Sequence, residues 1–240
     1  MAGKRLARVW NCLPLMEARA IGRRMTEAKA QGCQNLLAAL HEAGHAVVMA
    51  ALGMPVARAT ARHGRGMVKA DQGKAAILAT RHKRQHPGPA PHAATVGAQL
   101  AKMACCAAGG AAVRLREATR PQAAWQPFAA HYGMMSRGDL RGWYAASDGL
   151  YALGLHGSAI APLVEAWTDE TLARHALTVA TVAAALFRRG LMTGPEIDRL
   201  LHQVVADPEP TARMVELAQR IVTDPGLTWP VVDGCAPSHP

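Results

Sequence analysis

The segment LLAALHEAGHAVVMAALGM, residues 36–54, carries two histidines and a glutamate inside a run that otherwise reads as a buried helix. Positions four apart on a helix lie one above the other, so His41 and His45 share a face and Glu42 sits just beside it. Leu36, Leu37, Leu40, Val47, Val48 and Leu52 make the remaining sides apolar, as a rigid platform for a site requires. Ala43 and Gly44 leave room for a second element to approach closely. The arrangement is the H-E-x-x-H metal pattern, whose histidines supply two of the three protein ligands of a catalytic zinc ion. The competing reading is a structural histidine pair satisfied without metal, which requires a costly buried carboxylate beside it.

Half of the 240 residues are hydrophobic but only 4% are aromatic, with much of the apolar fraction being alanine. That balance predicts closely packed helices rather than a sheet-rich fold. The formal charge of +10 is uneven, with 15 Lys/Arg against 4 Asp/Glu in residues 1–86 and 12 against 13 in the remainder. A basic N-terminal region suits an anionic partner or a solvated face. No RNA-binding aromatic signature and no C-x-x-C finger accompanies it, which argues against nucleic-acid binding as the main role. Five cysteines, Cys12, Cys33, Cys105, Cys106 and Cys235, are an odd number without repeated spacing, so a cytoplasmic protein without a disulfide framework is expected. Cys105 and Cys106 fall in the small-residue run AKMACCAAGGAAV and read as core. No run reaches the ~18 uninterrupted apolar residues of a transmembrane segment, and the N-terminus is a poor secretory signal.

Along the chain, residues 1–32 read as a basic helical arm, 33–206 as the main domain and 207–240 as a further helix, about 211–222, with a flexible tail. Gly53 and Pro55 end the motif helix. PVARATA and GMVKAD alternate around RHGRG, predicting two short strands whose edge could hold an extended peptide. Residues 81–97, with three prolines and with His82, His86 and His92, read as a loop insertion. A helix is expected over about 94–116. Thr168 or Asp169 is expected to cap a helix running to Arg189, with Gly190 past its end. Thr193 and Glu196 form a T-x-x-E capping box for the next helix.

A third ligand is needed. Val48 and Ala51 replace the glycine and histidine of the metzincin extension, excluding that family. Glu117 and Glu165 are carboxylate candidates without a distinctive setting. Asp139 follows Ser136 and Gly138 at the first turn of an expected helix, where the dipole keeps a carboxylate ionised, and is preferred over Asp148 further along it.

LHEAGHAVV, GGAAVRL, SRGDLRGWYAA and LMTGPEIDRLL, in this order over roughly residues 33–205, resemble the zinc peptidase domain of FtsH-type membrane AAA proteases. The resemblance implies a mainly α, helical zincin-like domain with a short β-hairpin or small sheet beside the motif helix. It implies His41, His45 and Asp139 as ligands of Zn2+ and Glu42 as catalytic base. Val113 and Arg114 depart from it, standing where the family has an acidic pair. No G-x-x-x-x-G-K-[ST] phosphate loop occurs in the sequence, so a peptidase working without the family's ATPase module is expected. A flexible or unfolded polypeptide is then the substrate, and Glu42 takes a proton from the attacking water. His131 is a minor candidate for contacting the oxyanion. A homo-oligomer is compatible with this reading, as is a separate ATPase or anionic partner docking on the basic arm. The alternatives are an inactive metal-binding adaptor of the same fold and a basic helical nucleic-acid-binding protein.

Overall fold

The computed structural model describes residues 26–71, 91–119 and 135–204, together with Glu216 and Arg220. Residues 1–25 of the 1–32 arm, residues 81–90 of the insertion, His131 and nearly all of the expected helix over 211–222 lie outside the described residues; residues 26–32 of the arm are continuous with the motif helix, and residues 91–97, read from the sequence as loop, are helical. Within them the chain is mainly helical with a small antiparallel sheet, as composition and patterning predict.

Helix α1, Thr26–Ala51, carries the H-E-x-x-H motif and is the axis of the fold. Leu37, Leu40, Ala43, Ala46, Val47 and Val48 are fully buried, because neighbours cover the helix from several sides. Gly53, with φ 70°, turns the chain out of α1. The hairpin follows as β1, Val56–Arg62, and β2, Arg65–Ala70. Its His63-Gly64 tip has φ 52° and 68°, the left-handed pair that a tight two-residue hairpin turn requires. Asn35 Oδ1 accepts from Gly64 N–H at 2.7 Å and so ties the tip back onto α1.

Helix α2, Pro91–Thr119, packs along α1 through its small residues. A Cβ on Gly44 would stand 2.7 Å from the Ala112 Cβ and 2.5 Å from the Ala108 carbonyl oxygen, so the backbones meet where glycine alone fits. One stretch of α2, Thr95–Arg116, is long and apolar enough to cross a membrane by length and composition, and most of it is buried inside this fold. Helix α3, Arg137–Tyr151, and helix α4, Gly157–Arg174, lie against α2, whereas helix α5, Ala176–Arg189, lies against α1.

The helix expected to begin at Thr168 or Asp169 is in fact two helices. Both residues lie inside α4, where the Thr168 hydroxyl donates to the Val164 carbonyl at 2.7 Å, and the break comes at His175. Thr168 is fully buried, so its hydroxyl is satisfied within the helix rather than at a cap. Gly190 does end α5, with φ 71° and its N–H on the Leu186 carbonyl. The next residues add a strand that periodicity could not show. β3, Leu191–Thr193, pairs antiparallel with β1 to give the order β2-β1-β3. The Thr193–Glu196 capping box then starts helix α6, Gly194–Leu201, as expected.

Candidate metal centre

The α1 face bearing His41 and His45 opens on a cleft of ≈ 740 Å3, walled by β2, by α2 at Cys105 and Cys106, and by the start of α3. The side chains of His41, His45 and Asp139 are 8%, 12% and 18% exposed, so each is mostly covered by the fold yet can be reached from the cleft.

Asp139 arrives from 98 residues further along the chain. Ser136 caps α3, its Oγ accepting from Asp139 N–H at 3.1 Å, and the Asp139 carboxylate accepts from Ser136 N–H at 3.1 Å. This reciprocal pair fixes the first turn and leaves the aspartate against α1. Asp139 Oδ2 stands 3.3 Å from His41 Nε2 and 3.6 Å from His45 Nε2. Burial pushes the Asp139 carboxyl up, but hydrogen bonding to His41, His45 and Ser136 and the charge of His45 outweigh it, holding the group well below the usual carboxylate range.

Donor atoms of these three residues all lie within 4.8 Å of one another. Ligand atoms about 2.0–2.1 Å from a tetrahedral ion are about 3.3 Å apart, close to the two nitrogen–oxygen separations found here. His45 Nδ1–H donates to the Cys105 carbonyl at 2.7 Å, fixing the ring and turning Nε2 towards Asp139 as the nitrogen that could hold an ion. The two imidazoles meet edge to face, with centroids 4.8 Å apart. Two nitrogens and a carboxylate oxygen are a donor set that suits zinc.

Glu42 is buried beside this group and outside it. Burial raises its carboxyl to about 7, against the lowering effects of His41 and a hydrogen bond from the Val68 backbone and with a further upward push from Asp139. A side chain at Gly66 would run into the Glu42 carboxylate, and one at Gly109 would run into the His41 ring. Both positions are therefore part of the site.

The structure thus brings together His41, Glu42, His45 and Asp139, as the sequence reading expects. It leaves aside Asp148 and Glu165, both exposed, and neither joins the group. The side chain of Glu117 lies outside the described residues. Cys105 and Cys106, read from sequence as core, are instead half-buried free thiols lining the cleft, because the face of α2 that carries them looks across at the site. Sequence reasoning missed Gly66, Gly109 and the Cys105 carbonyl. Cys105 and Gly109 are spaced four apart in the small-residue run, and that shared face was the available signal. No protein family's profile matches the chain, and no curated protein matches it.

Proposed function

We propose that the chain is a zinc-dependent peptidase, similar in its site to the peptidase domain of FtsH-type proteases and acting on flexible or unfolded polypeptides. The observation that carries the reading is the convergence of His41, His45 and Asp139 on one point, with Glu42 beside it and open to the same cleft. When bound, zinc supplies Lewis acidity, which makes a coordinated water acidic and polarises a carbonyl.

The chain's own residues do the rest. His41, His45 and Asp139 hold the ion, and the Cys105 carbonyl keeps His45 in the tautomer that can do so. The Glu42 carboxylate, oriented by the Val68 N–H, takes the proton of the attacking water and delivers it to the leaving amine. The β2 edge beside Glu42 offers backbone groups with which an extended substrate can pair.

The decisive experiment measures bound zinc and cleavage of an unfolded protein for wild type and Glu42→Gln. Zinc retained by both with hydrolysis lost only in the variant supports the reading, whereas equal cleavage by both sinks it. Zinc binding without hydrolysis by the wild type would favour an inactive adaptor.

A further inference from the structure

The exposed face of the sheet carries a charge pattern that the fold itself does not use. Arg58 lies opposite Lys69, and Arg62 lies opposite Arg65. Between these rungs runs the row Met67–Thr60–Leu191, with Met67 and Leu191 45% and 42% exposed. Like charges directly opposite across two strands are destabilising. Among the described residues none of the four cations has an ion-pair partner. An anionic neighbour would relieve that repulsion.

Of the two edges of the sheet, the one bordering the cleft offers a place for such a neighbour. β2 is an edge strand, and among the described residues nothing pairs with its outer side. Ala61 N–H donates to the Gly190 carbonyl on the β3 side, so alternate β1 residues Arg58, Thr60 and Arg62 turn their backbone groups to β2. Arg65, Met67 and Lys69 face them, which leaves the backbone of Gly66 and Val68 at the open edge. The Val68 N–H is taken by Glu42, which agrees with this placement and leaves the Gly66 N–H and the Gly66 and Val68 carbonyls to pair with an added strand. Side chains alternate between faces along any strand, and residues in register across a sheet share a face. An added strand opposite Gly66 and Val68 therefore sends those side chains towards α1 and the cleft. Its residues opposite Arg65, Met67 and Lys69 emerge beside a cation, an apolar side chain and a second cation.

We infer that β2 selects extended peptides in which acidic residues flank an apolar residue at two-residue spacing, the carboxylates lying beside Arg65 and Lys69 and the apolar side chain beside Met67. The pattern is symmetric, so it holds for either strand direction. This inference rests on the peptidase reading for its consequence, selective cleavage, but it concerns binding and is tested separately.

The probes are fluorescein-labelled nonapeptides differing only at two positions, Glu-x-Leu-x-Glu, Gln-x-Leu-x-Gln and Lys-x-Leu-x-Lys, titrated by anisotropy against the zinc-loaded 240-residue chain carrying Glu42→Gln. The Glu peptide should bind about tenfold more tightly than the Lys peptide, with Gln between them and the difference shrinking as salt screens the charges. Arg65→Glu with Lys69→Glu should reverse the order, and Arg65→Gln with Lys69→Gln should level it. Both positions are exposed, and zinc content with circular dichroism checks that the fold persists. Moving both acidic residues by one position, onto the cleft face, should abolish the preference.

Equal binding of Glu and Lys peptides, a preference that survives both double variants, or an equal preference for the shifted peptide overturns the inference. Displacement of the Glu peptide by a single-stranded RNA oligonucleotide at lower concentration than by unlabelled peptide also overturns it, making the face a nucleic-acid surface. The expected binding order without cleavage of any peptide by the wild type leaves the inference standing and removes the peptidase reading.

Discussion

Glu42 combines burial with a proposed role that needs charge, and this gives two predictions at the scale of the residue. The first is that Glu42→Gln keeps the fold and the zinc while hydrolysis falls by at least about a hundredfold, the loss typical of a positioned general base. Equal turnover by the variant would assign the base elsewhere. The second concerns stability of the zinc-free protein. Burial raises the folded-state carboxyl from 4.5 to about 7, so the neutral acid is the form the fold prefers. The resulting stabilisation is fully present below pH about 4.5 and is lost as pH rises through about 7, a change on the order of 3 kcal/mol. Urea midpoints of chelated wild type should fall over that window relative to Glu42→Gln, and parallel profiles for the two proteins would contradict the assignment.

Among elements, α3 matters most, because its first turn delivers the third donor. Asp139→Ala should remove zinc measured by metal analysis, since two imidazoles alone leave a tetrahedral ion short of a protein ligand. Asp148→Ala, on the exposed side of the same helix, should leave zinc bound. Loss of zinc in the second variant but not the first would place the ligand wrongly. Ser136→Ala breaks one arm of the capping box and should cost about 1 kcal/mol in thermal or urea unfolding, with weaker zinc retention against a chelator. On α2 the corresponding device is absence of a side chain. Gly109→Ala should displace the His41 ring and weaken zinc retention, even though alanine is the better helix former.

At the scale of the molecule, the site is assembled from α1, β2, α2 and the start of α3, elements held by one continuous apolar core. On the proposed reading, a cleft bordered by a strand edge suits an extended chain better than a folded domain. The 240-residue chain with zinc should therefore digest a casein-like or unfolded substrate without ATP and spare a stable folded domain, followed by gel electrophoresis. Efficient digestion of the folded domain, or dependence on ATP, would count against the proposed mode of substrate entry.

How much of this was legible beforehand divides along the range of the interactions involved. His41, Glu42 and His45 are within one helical turn of each other, so periodicity alone places them on adjoining faces. The hairpin around His63-Gly64, the left-handed stop at Gly190 and the Thr193–Glu196 box are also local, each fixed by backbone preference or a hydrogen bond over three residues. Asp139 was legible in its own cap but not in its distance to the histidines. The break between α4 and α5 and the strand Leu191–Thr193 were not legible at all. The strand is three residues long and exists because β1 offers it a partner. The same holds for Gly66 and Gly109, whose importance lies in the atoms that face them from α1. Sequence by itself determined which side chains can do chemistry and which local elements carry them. Only tertiary packing decided that Asp139 Oδ2 meets two imidazoles, that Glu42 loses its water, and that two cations stand along an open edge, because each depends on excluded volume and desolvation between segments far apart in the chain.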